Sequence, residues 1–465
     1  MPPIVASALC GVLIAGLFWI NRDPDEQTSA ALWIPIAWVM LACSRSVGQW
    51  LSAGPTDTAE SFAEGSPLDR VVYFGLVLLG LVVLVAQRRG VGRLLRANGA
   101  VIFFLTYAAF SLLWSDYPDV GFKRWVKAVG DVVMALIILT DPQPLAAFKR
   151  LLTRVGYILI PLSVLFIKYY PEIGMGYGPW GGPAVAAGVT VGKNALGALS
   201  LLFGIGTVWR LAEDYQNRDL PNRSRKLLAQ GILLVLTGYL FWMSNSMTSM
   251  NSFAMAAVLL FVSRSRFAQR SPAMIHLLIV SMLSISAAVV FLGASPDALA
   301  AMGRNPTLTD RTEVWGVLRQ IAGNPVVGTG FESFWLGKRL DILWGIYWWH
   351  PNEAHNGYLE ILLQLGWIGV GLLAVVLLSS YRVAFSAWRS DPKTGSIFLC
   401  YFFLGLVYNF TEAAFFKILA PVWIFFLFAA LRVSPVPSEV SEFQNEAVAD
   451  DLMPGLPPEV NLGKA

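Results

Sequence analysis

The sequence predicts an all-α fold, a polytopic transmembrane helical bundle of about 11–13 helices capped by one long loop. Three observations predict it. Only 14% of the 465 residues are charged and 56% are hydrophobic, whereas a soluble domain carries roughly 25% charged residues to cover its surface. The apolar runs approach the roughly 20 residues that a membrane-crossing helix needs, and they are too numerous for one or two anchors. Segments such as 71–86 and 370–378 are apolar all round, without the period-2 alternation and short turns of a β-barrel.

Taken in order, the apolar windows predict helices near 4–20, 31–50, 68–87, 99–114, 126–140, 151–168, 187–211, 227–243, 251–263, 274–292, 356–380, 395–412 and 416–432. The first has no basic stretch ahead of it, as a secretory signal would, so it is expected to stay in the membrane. The 251–263 window is short and 126–140 contains Lys127 and Asp131, yet dropping either breaks the charge pattern of the loops. Cys10, Cys43 and Cys400 all sit inside apolar runs, which predicts neither a disulfide nor a zinc site.

The net charge of +4 is sorted by loop. Basic residues concentrate in alternate connections: Arg88, Arg89, Arg93 and Arg96; then Lys149, Arg150 and Arg154; then Arg218, Arg223, Arg225 and Lys226. Arg264, Arg266 and Arg270 follow, and finally Arg382, Arg389 and Lys393. The positive-inside rule makes this series cytoplasmic and gives no reason to invoke nucleic acid. The other connections, 115–125, 169–186, 244–250 and 293–355, are then periplasmic or extracellular. Residues 433–465, with five prolines, six acidic residues and one lysine, predict a disordered cytoplasmic tail. The domain reading is therefore a bundle over 1–432, including the 293–355 loop, and a tail over 433–465. That loop exceeds what a connector needs. Its Trp315, Phe331, Phe334, Trp335, Trp344, Trp348 and Trp349 predict an ordered, membrane-hugging cap.

The polar residues of the outer side are few and fall at helix ends beside this loop. They are Lys123, Arg124, Lys193, Asn194, Ser244–Ser249, Arg304, Arg311, Glu353, His355, Asn356 and Glu412. For any one cation the plain alternative is snorkelling to lipid headgroups. His355 ends the long loop and is expected to open a helix in which Gly366 and Gly369 share its face, letting another helix approach below it. For a lone histidine the plain alternative is an interfacial residue that hydrogen-bonds a neighbour. Arg304 and Arg311 carry planar forks suited to phosphate. Lys193 opens a glycine-rich helix whose free N–H groups favour an anion. Together these would make an anion site.

These residues fall in motifs: Trp114-Ser-Asp-Tyr-Pro118 followed by Lys123-Arg124, Gly192-Lys193-Asn194-Ala-Leu-Gly197, Ser244–Ser249 and Gly303–Trp315. Further along come Asn324-Pro-Val-Val-Gly-Thr-Gly-Phe331, His355-Asn356 with Gly366-x-x-Gly369, and Asn409-Phe-Thr-Glu412. Set in this order, they resemble the O-antigen ligase and Wzy-type polysaccharide polymerase family, most closely its exopolysaccharide-polymerase branch. The resemblance implies an inner-membrane glycosyltransferase of GT-C-like architecture, with a periplasmic active site and neither a metal nor a cofactor. Its donor would be an undecaprenyl-pyrophosphate-linked glycan. Its acceptor would be another lipid-linked repeat for a polymerase or lipid A core for a ligase, and a chain-length-regulating copolymerase would be a fitting partner.

By the same resemblance Arg311 binds pyrophosphate, with Arg304, Lys193 and Arg124 as helpers, and His355 is the essential loop histidine. Asn194, Asn356, Glu353 and Glu412 complete the expected substrate site. Met247 and Gly192 stand where many relatives carry basic residues. The chemistry agrees with the residue types: a leaving pyrophosphate needs cations, while the acceptor hydroxyl needs a base, for which a histidine near pKa 6.5 is suited. A transporter or flippase of lipid-linked sugars is the competing class, but it predicts midplane charges and repeated halves.

Overall fold

The computed structural model describes residues 1–22, 28–51, 66–87, 91–176, 184–291 and 308–432. The 433–465 tail and Arg304 lie outside these. The chain is an all-α polytopic membrane protein. Among the described residues seven helices are long and apolar enough to cross a membrane, and five shorter apolar helices accompany them.

The helices used below are α1 (Pro3–Ile20), α2 (Trp33–Ala42), α3 (Pro67–Ala86), α4 (Gly99–Phe110), α5 (Pro118–Leu139), α6 (Pro144–Tyr169), α7 (Lys193–Gln216) and α8 (Arg223–Ser244). After them come α9 (Met247–Ser263), α10 (Ala273–Phe291), α11 (Leu308–Ile321), α12 (Lys338–Ile346), α13 (Gly357–Ser390), α14 (Pro392–Tyr408) and α15 (Pro421–Ala430). Each of the predicted windows overlaps one of them.

Their burial follows their composition. The short α15 is apolar all round and buried all round, from Val422 to Ala430, as a helix at the centre of a bundle must be. α7 packs against α8 and α9 beside it, whereas α1, α3 and α10 expose most of their apolar surface. Two polar residues of α5 meet neighbours. Asp131 is buried and accepts the Trp38 indole N–H at 2.8 Å, and the Lys127 ammonium lies 5.0 Å from the Tyr73 ring centroid.

Several boundaries depart from the expectation: α5 and α6 begin at Pro118 and Pro144, ahead of their windows, α7 begins only at Lys193, and α13 runs on to Ser390. Three further departures bear on the site. The 31–50 window stops being helical after Ala42, and Val47–Trp50 forms only a separate short turn of helix. The 416–432 window is a loop as far as Ala420, with Phe416 and Leu419 at φ 51° and 55°. The helix after the long loop begins at Gly357, not at His355, and breaks at Gly366. The expected face joining His355 to Gly366 and Gly369 therefore does not exist.

The break has a specific cause. Gly366 takes φ 63°, and a Cβ there would lie 2.3 Å from the Val326 backbone. The segment 325–330 runs alongside and completes the interrupted ladder. Trp367 N–H and Ile368 N–H donate to the Pro325 and Val326 carbonyls at 2.9 and 3.2 Å, and the Leu363 and Gln364 carbonyls accept from Thr329 and Gly330 at 3.2 and 2.9 Å. Irregular backbone at this depth is tolerable only when such partners are supplied.

The cap over the bundle end has its own small core. Val314, Leu318, Phe334, Trp335, Leu340 and Leu343 pack together with Ala354 and with Leu363 of α13. It is tied to the start of α5 by Ser115 and Ser333, whose hydroxyls lie 2.5 Å apart.

Candidate active site

The site is assembled by three turns that meet at one end of the bundle. Asn356 caps α13: its Oδ1 accepts from Tyr358 N–H and Leu359 N–H at 3.1 and 3.0 Å, and its Nδ2 donates to the Phe410 carbonyl. Gly357 N–H reaches the carbonyls of Asn409 and Glu412 at 2.9 and 3.1 Å. No side chain fits at position 357, since a Cβ would lie 1.8 Å from Asn409 Oδ1. That oxygen is itself committed to Ala414 N–H and Phe415 N–H. The sequence His-Asn-Gly is thus docked backbone to backbone on Asn-Phe-Thr-Glu.

Between these anchors His355 is held at φ 48°, a conformation that persists only where its surroundings fix it. On its N-terminal side the fixing group is Glu360, buried in the first turn of α13. It accepts from Ala354 N–H at 2.6 Å and from the Trp335 indole at 2.9 Å. Gln364 joins it at 3.2 Å and accepts from Glu332 N–H.

The His355 ring faces two carboxylates. Its Nδ1 lies 2.9 Å from Glu353 Oε1 and 3.2 Å from Glu412 Oε2. Both partners are acceptors, so Nδ1 carries a proton and Nε2 is the remaining functional nitrogen. Lys417 is ion-paired with Glu353 Oε2, and the Asn194 amide donates to Glu412 Oε1 at 2.9 Å. Burial opposes charge on the ring, but the hydrogen bonds and negative charges of Glu353 and Glu412 outweigh it and lift the His355 pKa to about 9. The expected ordinary value near 6.5 is corrected accordingly. Burial likewise opposes ionisation of Glu353, yet Lys417 and His355 hold its carboxyl well below the usual range.

Beside this cluster a cavity of about 450 Å³ is lined by Lys193, Asn194, Glu353, Glu412 and Lys417. Lys193 and Asn194 begin α7, so the amide N–H groups of that first turn lie at the cavity wall. The ligand atoms of Glu353, His355 and Glu412 lie within 4.8 Å of one another, a spacing that suits a divalent ion. The chain's own Lys417 ammonium and protonated ring already supply positive charge there.

Five of the expected residues are therefore brought together: Lys193, Asn194, Glu353, His355 and Glu412. Asn356 adjoins them as a helix cap. Arg124 does not join them; it pairs with Glu332 at 3.3 Å, where α5 meets the cap. Arg311 lies in the first turn of α11, and its side chain is outside the described residues. Sequence reasoning missed Lys417, Glu332 and Glu360. An ionisable residue in an apparent span was the available signal for Lys417.

Residues 232–374 match the family model described as O-antigen ligase, a stretch that includes the cap, Arg311, His355 and the break at Gly366. The chain is also 26% identical over 325 residues to the exopolysaccharide production protein ExoQ of Rhizobium meliloti (strain 1021), covering 67% of this chain and 70% of that relative. The family-model match takes in Glu353, His355 and Asn356 but not Lys193, Asn194, Glu412 or Lys417, and over that stretch the chain is similar to the O-antigen ligase family.

Proposed function

We propose that the chain is an inverting glycosyltransferase of the bacterial inner membrane. Facing the periplasm, it polymerises undecaprenyl-pyrophosphate-linked repeat units into exopolysaccharide or O-antigen. The observation that carries this reading is the meeting of the His355 cluster with the Lys193 helix start around one cavity. Similarity to an exopolysaccharide production protein supports the polymerase over the ligase. The orientation rests on the basic loops, which fall at the opposite bundle end.

In this reading Lys193, the first-turn amides of α7, Arg311 and Arg304 hold the pyrophosphate, and the acceptor hydroxyl approaches His355 Nε2. As the hydroxyl oxygen attacks the anomeric carbon, its proton passes to neutral Nε2. The bond from that carbon to the pyrophosphate oxygen breaks, and the leaving group departs as an anion stabilised by the cations. Attack opposite the leaving group inverts the anomeric centre. Glu353 and Glu412 fix the ring and its tautomer, as an orienting carboxylate does in hydrolase triads. The elevated pKa favours a second reading of the same residue. At pH 7 only roughly 1% of a group with pKa about 9 is neutral, so His355 would instead act as a fixed cation beside the departing pyrophosphate.

A strain lacking the protein tests the reaction. Accumulation of single repeat units on the lipid carrier is the expected result. Full-length lipid-linked polymer with bare lipid A core would make it a ligase, and unchanged glycans would overturn both.

A further inference from the structure

The tryptophans of the cap differ in what their indole N–H groups do. Trp315 donates to the Ala354 carbonyl at 2.8 Å, Trp335 to the Glu360 carboxylate at 2.9 Å and Trp344 to the Pro351 carbonyl at 3.1 Å. The Trp349 N–H has no hydrogen-bond partner among the described residues. Its ring is half-buried and lies 6.5 Å from the His355 ring, centroid to centroid, at 31° to it. We propose that Trp349 is the platform on which the acceptor sugar stacks, bringing a hydroxyl of that sugar to His355 Nε2. The proposal rests on the glycosyl-transfer reading and names where its acceptor sits.

The histidine is oriented for this. Its Nδ1 is turned toward Glu353 and Glu412, and the two ring nitrogens diverge, so Nε2 faces away from those carboxylates. The side chain keeps 24% of its surface exposed. Glu353 and Glu412 line the cavity assigned above to the pyrophosphate, and Trp349 does not. A sugar on Trp349 therefore leaves that cavity to the donor. A pyranose has a face of C–H bonds and a rim of hydroxyls. The C–H face is apolar enough to exchange water for an aromatic ring, whose negative face attracts the C–H hydrogens, and an unused indole N–H can donate to a rim hydroxyl. An acceptor held only by its reacting hydroxyl would have neither its distance nor its angle fixed, and orientation is a large share of a two-substrate barrier.

A tryptophan at the rim of a membrane protein has a plainer use, as an anchor at headgroup depth. Trp348 fits that use, being 71% exposed. Trp349 is instead held in place. Its ring lies 5.9 Å from the Tyr347 ring and packs against the small core of the cap. The turn around it is fixed as well: His350 N–H donates to the Tyr347 carbonyl at 3.1 Å, and the His350 ring stacks 4.6 Å from Trp344. A ring that is already held loses little further freedom on binding.

The test measures sugar binding without transfer. The probe is the oligosaccharide released by partial acid hydrolysis of the surface polysaccharide of the strain that carries this chain. The full chain is used in nanodiscs, and saturation-transfer NMR reads the Kd. W349L is expected to raise it about tenfold, the loss of roughly one stacking contact, and W349F to stay within about threefold because the flat face is kept. W348L should equal wild type. Equal Kd values for W349L and wild type overturn the proposal, and so does an equal loss in W349F and W349L, which would make packing, not the ring face, the cause. A measurement on the wild type alone covers the case in which W349L fails to fold. Saturating the aromatic resonances should pass magnetisation to C–H protons on one face of the terminal sugar, and its absence overturns the proposal. The catalytic reading fails separately: binding that depends on Trp349, in a protein whose deletion leaves the glycans unchanged, keeps the sugar platform and removes the transferase.

Discussion

At the His355 end of the bundle the buried charges are set against opposite ones. Glu353 sits between Lys417 and His355, Glu412 between His355 and Asn194, and Arg124 is matched to Glu332. At the far end six cations share one cavity with Glu213 and Asp214 beside them. The first arrangement fixes geometry, since each group has one place where its partner is satisfied. The second gathers cations on mixed partners, with Arg150 on the Thr28 hydroxyl, Arg210 on Thr153 and Asn21, and Lys149 on Glu213. The lesson is that a cation count in a membrane protein is uninformative until each cation is assigned to an end and a partner.

The sharpest way to break this comparison is to remove the centre of the matched network. His355→Ala is expected to lower glycan transfer by about 10²- to 10⁴-fold, the usual weight of a proton-transferring group, at unchanged protein level in a reconstituted assay with the lipid-linked donor. The pH profile of the wild type then separates the two roles. As a base, His355 must be neutral, so the rate rises about tenfold per pH unit toward pH 9. As a cation, it gives a rate flat through neutrality that falls above about pH 9. Stability has its own sign. A histidine whose pKa is raised by folding contributes fully below about 6.5, and the contribution is lost as pH rises through about 9. Unfolding midpoints of the wild type should therefore fall more than those of His355→Gln between pH 7 and 10.

Next in size is the backbone that presents the network. Gly366→Ala places a Cβ against the Val326 backbone at a positive φ, and strain of about 1–3 kcal/mol is expected, read as a lower unfolding midpoint. A midpoint equal to wild type would show that α13 straightens and that the 325–330 segment is not its partner.

Smaller again is the ion pair at the cavity wall. Lys417→Met leaves Glu353 facing fewer positive charges. The Lys417 side chain is 43% exposed, so the loss is about 1–2 kcal/mol, below that of a fully buried pair. Adding Glu353→Gln should return part of it, because the unpaired charge is then gone. Simple additivity of the two losses would mean that the pair is not coupled.

These residues also show what the sequence could carry. Apolar runs long enough to cross a bilayer have few alternatives, and the predicted windows each overlap a helix. The failures share a cause, which is a partner distant in sequence. The turn 416–420 is apolar like a span, yet it is a loop with Phe416 and Leu419 at positive φ, Phe416 stacked on Phe104 and Lys417 paired with Glu353. Lys417 was hidden with it. The break at Gly366 depends on backbone groups 36 to 41 positions earlier. His355, Lys193 and Glu412 were legible because each ends an apolar run with a polar group that needs a reason. Their mutual distances were not, because three separate turns set them.

The smallest effect is expected from chelation, and it bears directly on the comparison of the two ends. The ligand atoms of Glu353, His355 and Glu412 are close enough for a divalent ion. Two features work against one binding there. His355 Nδ1 donates its proton to both carboxylates, so the same nitrogen would have to lose that proton to coordinate. Glu353 Oε2 is taken by the Lys417 ammonium, and an incoming dication would have to displace one positive charge and tolerate another. The cluster is balanced as it stands, with two carboxylates against an imidazolium and an ammonium. Transfer activity in EDTA should equal that in buffer, and added zinc should inhibit, by competing for His355, rather than activate. Loss of activity in EDTA with recovery on adding a metal would mean that the matched charges are only the resting form of a metal site. The contrast between the two ends would then rest on a bound cation at the His355 end.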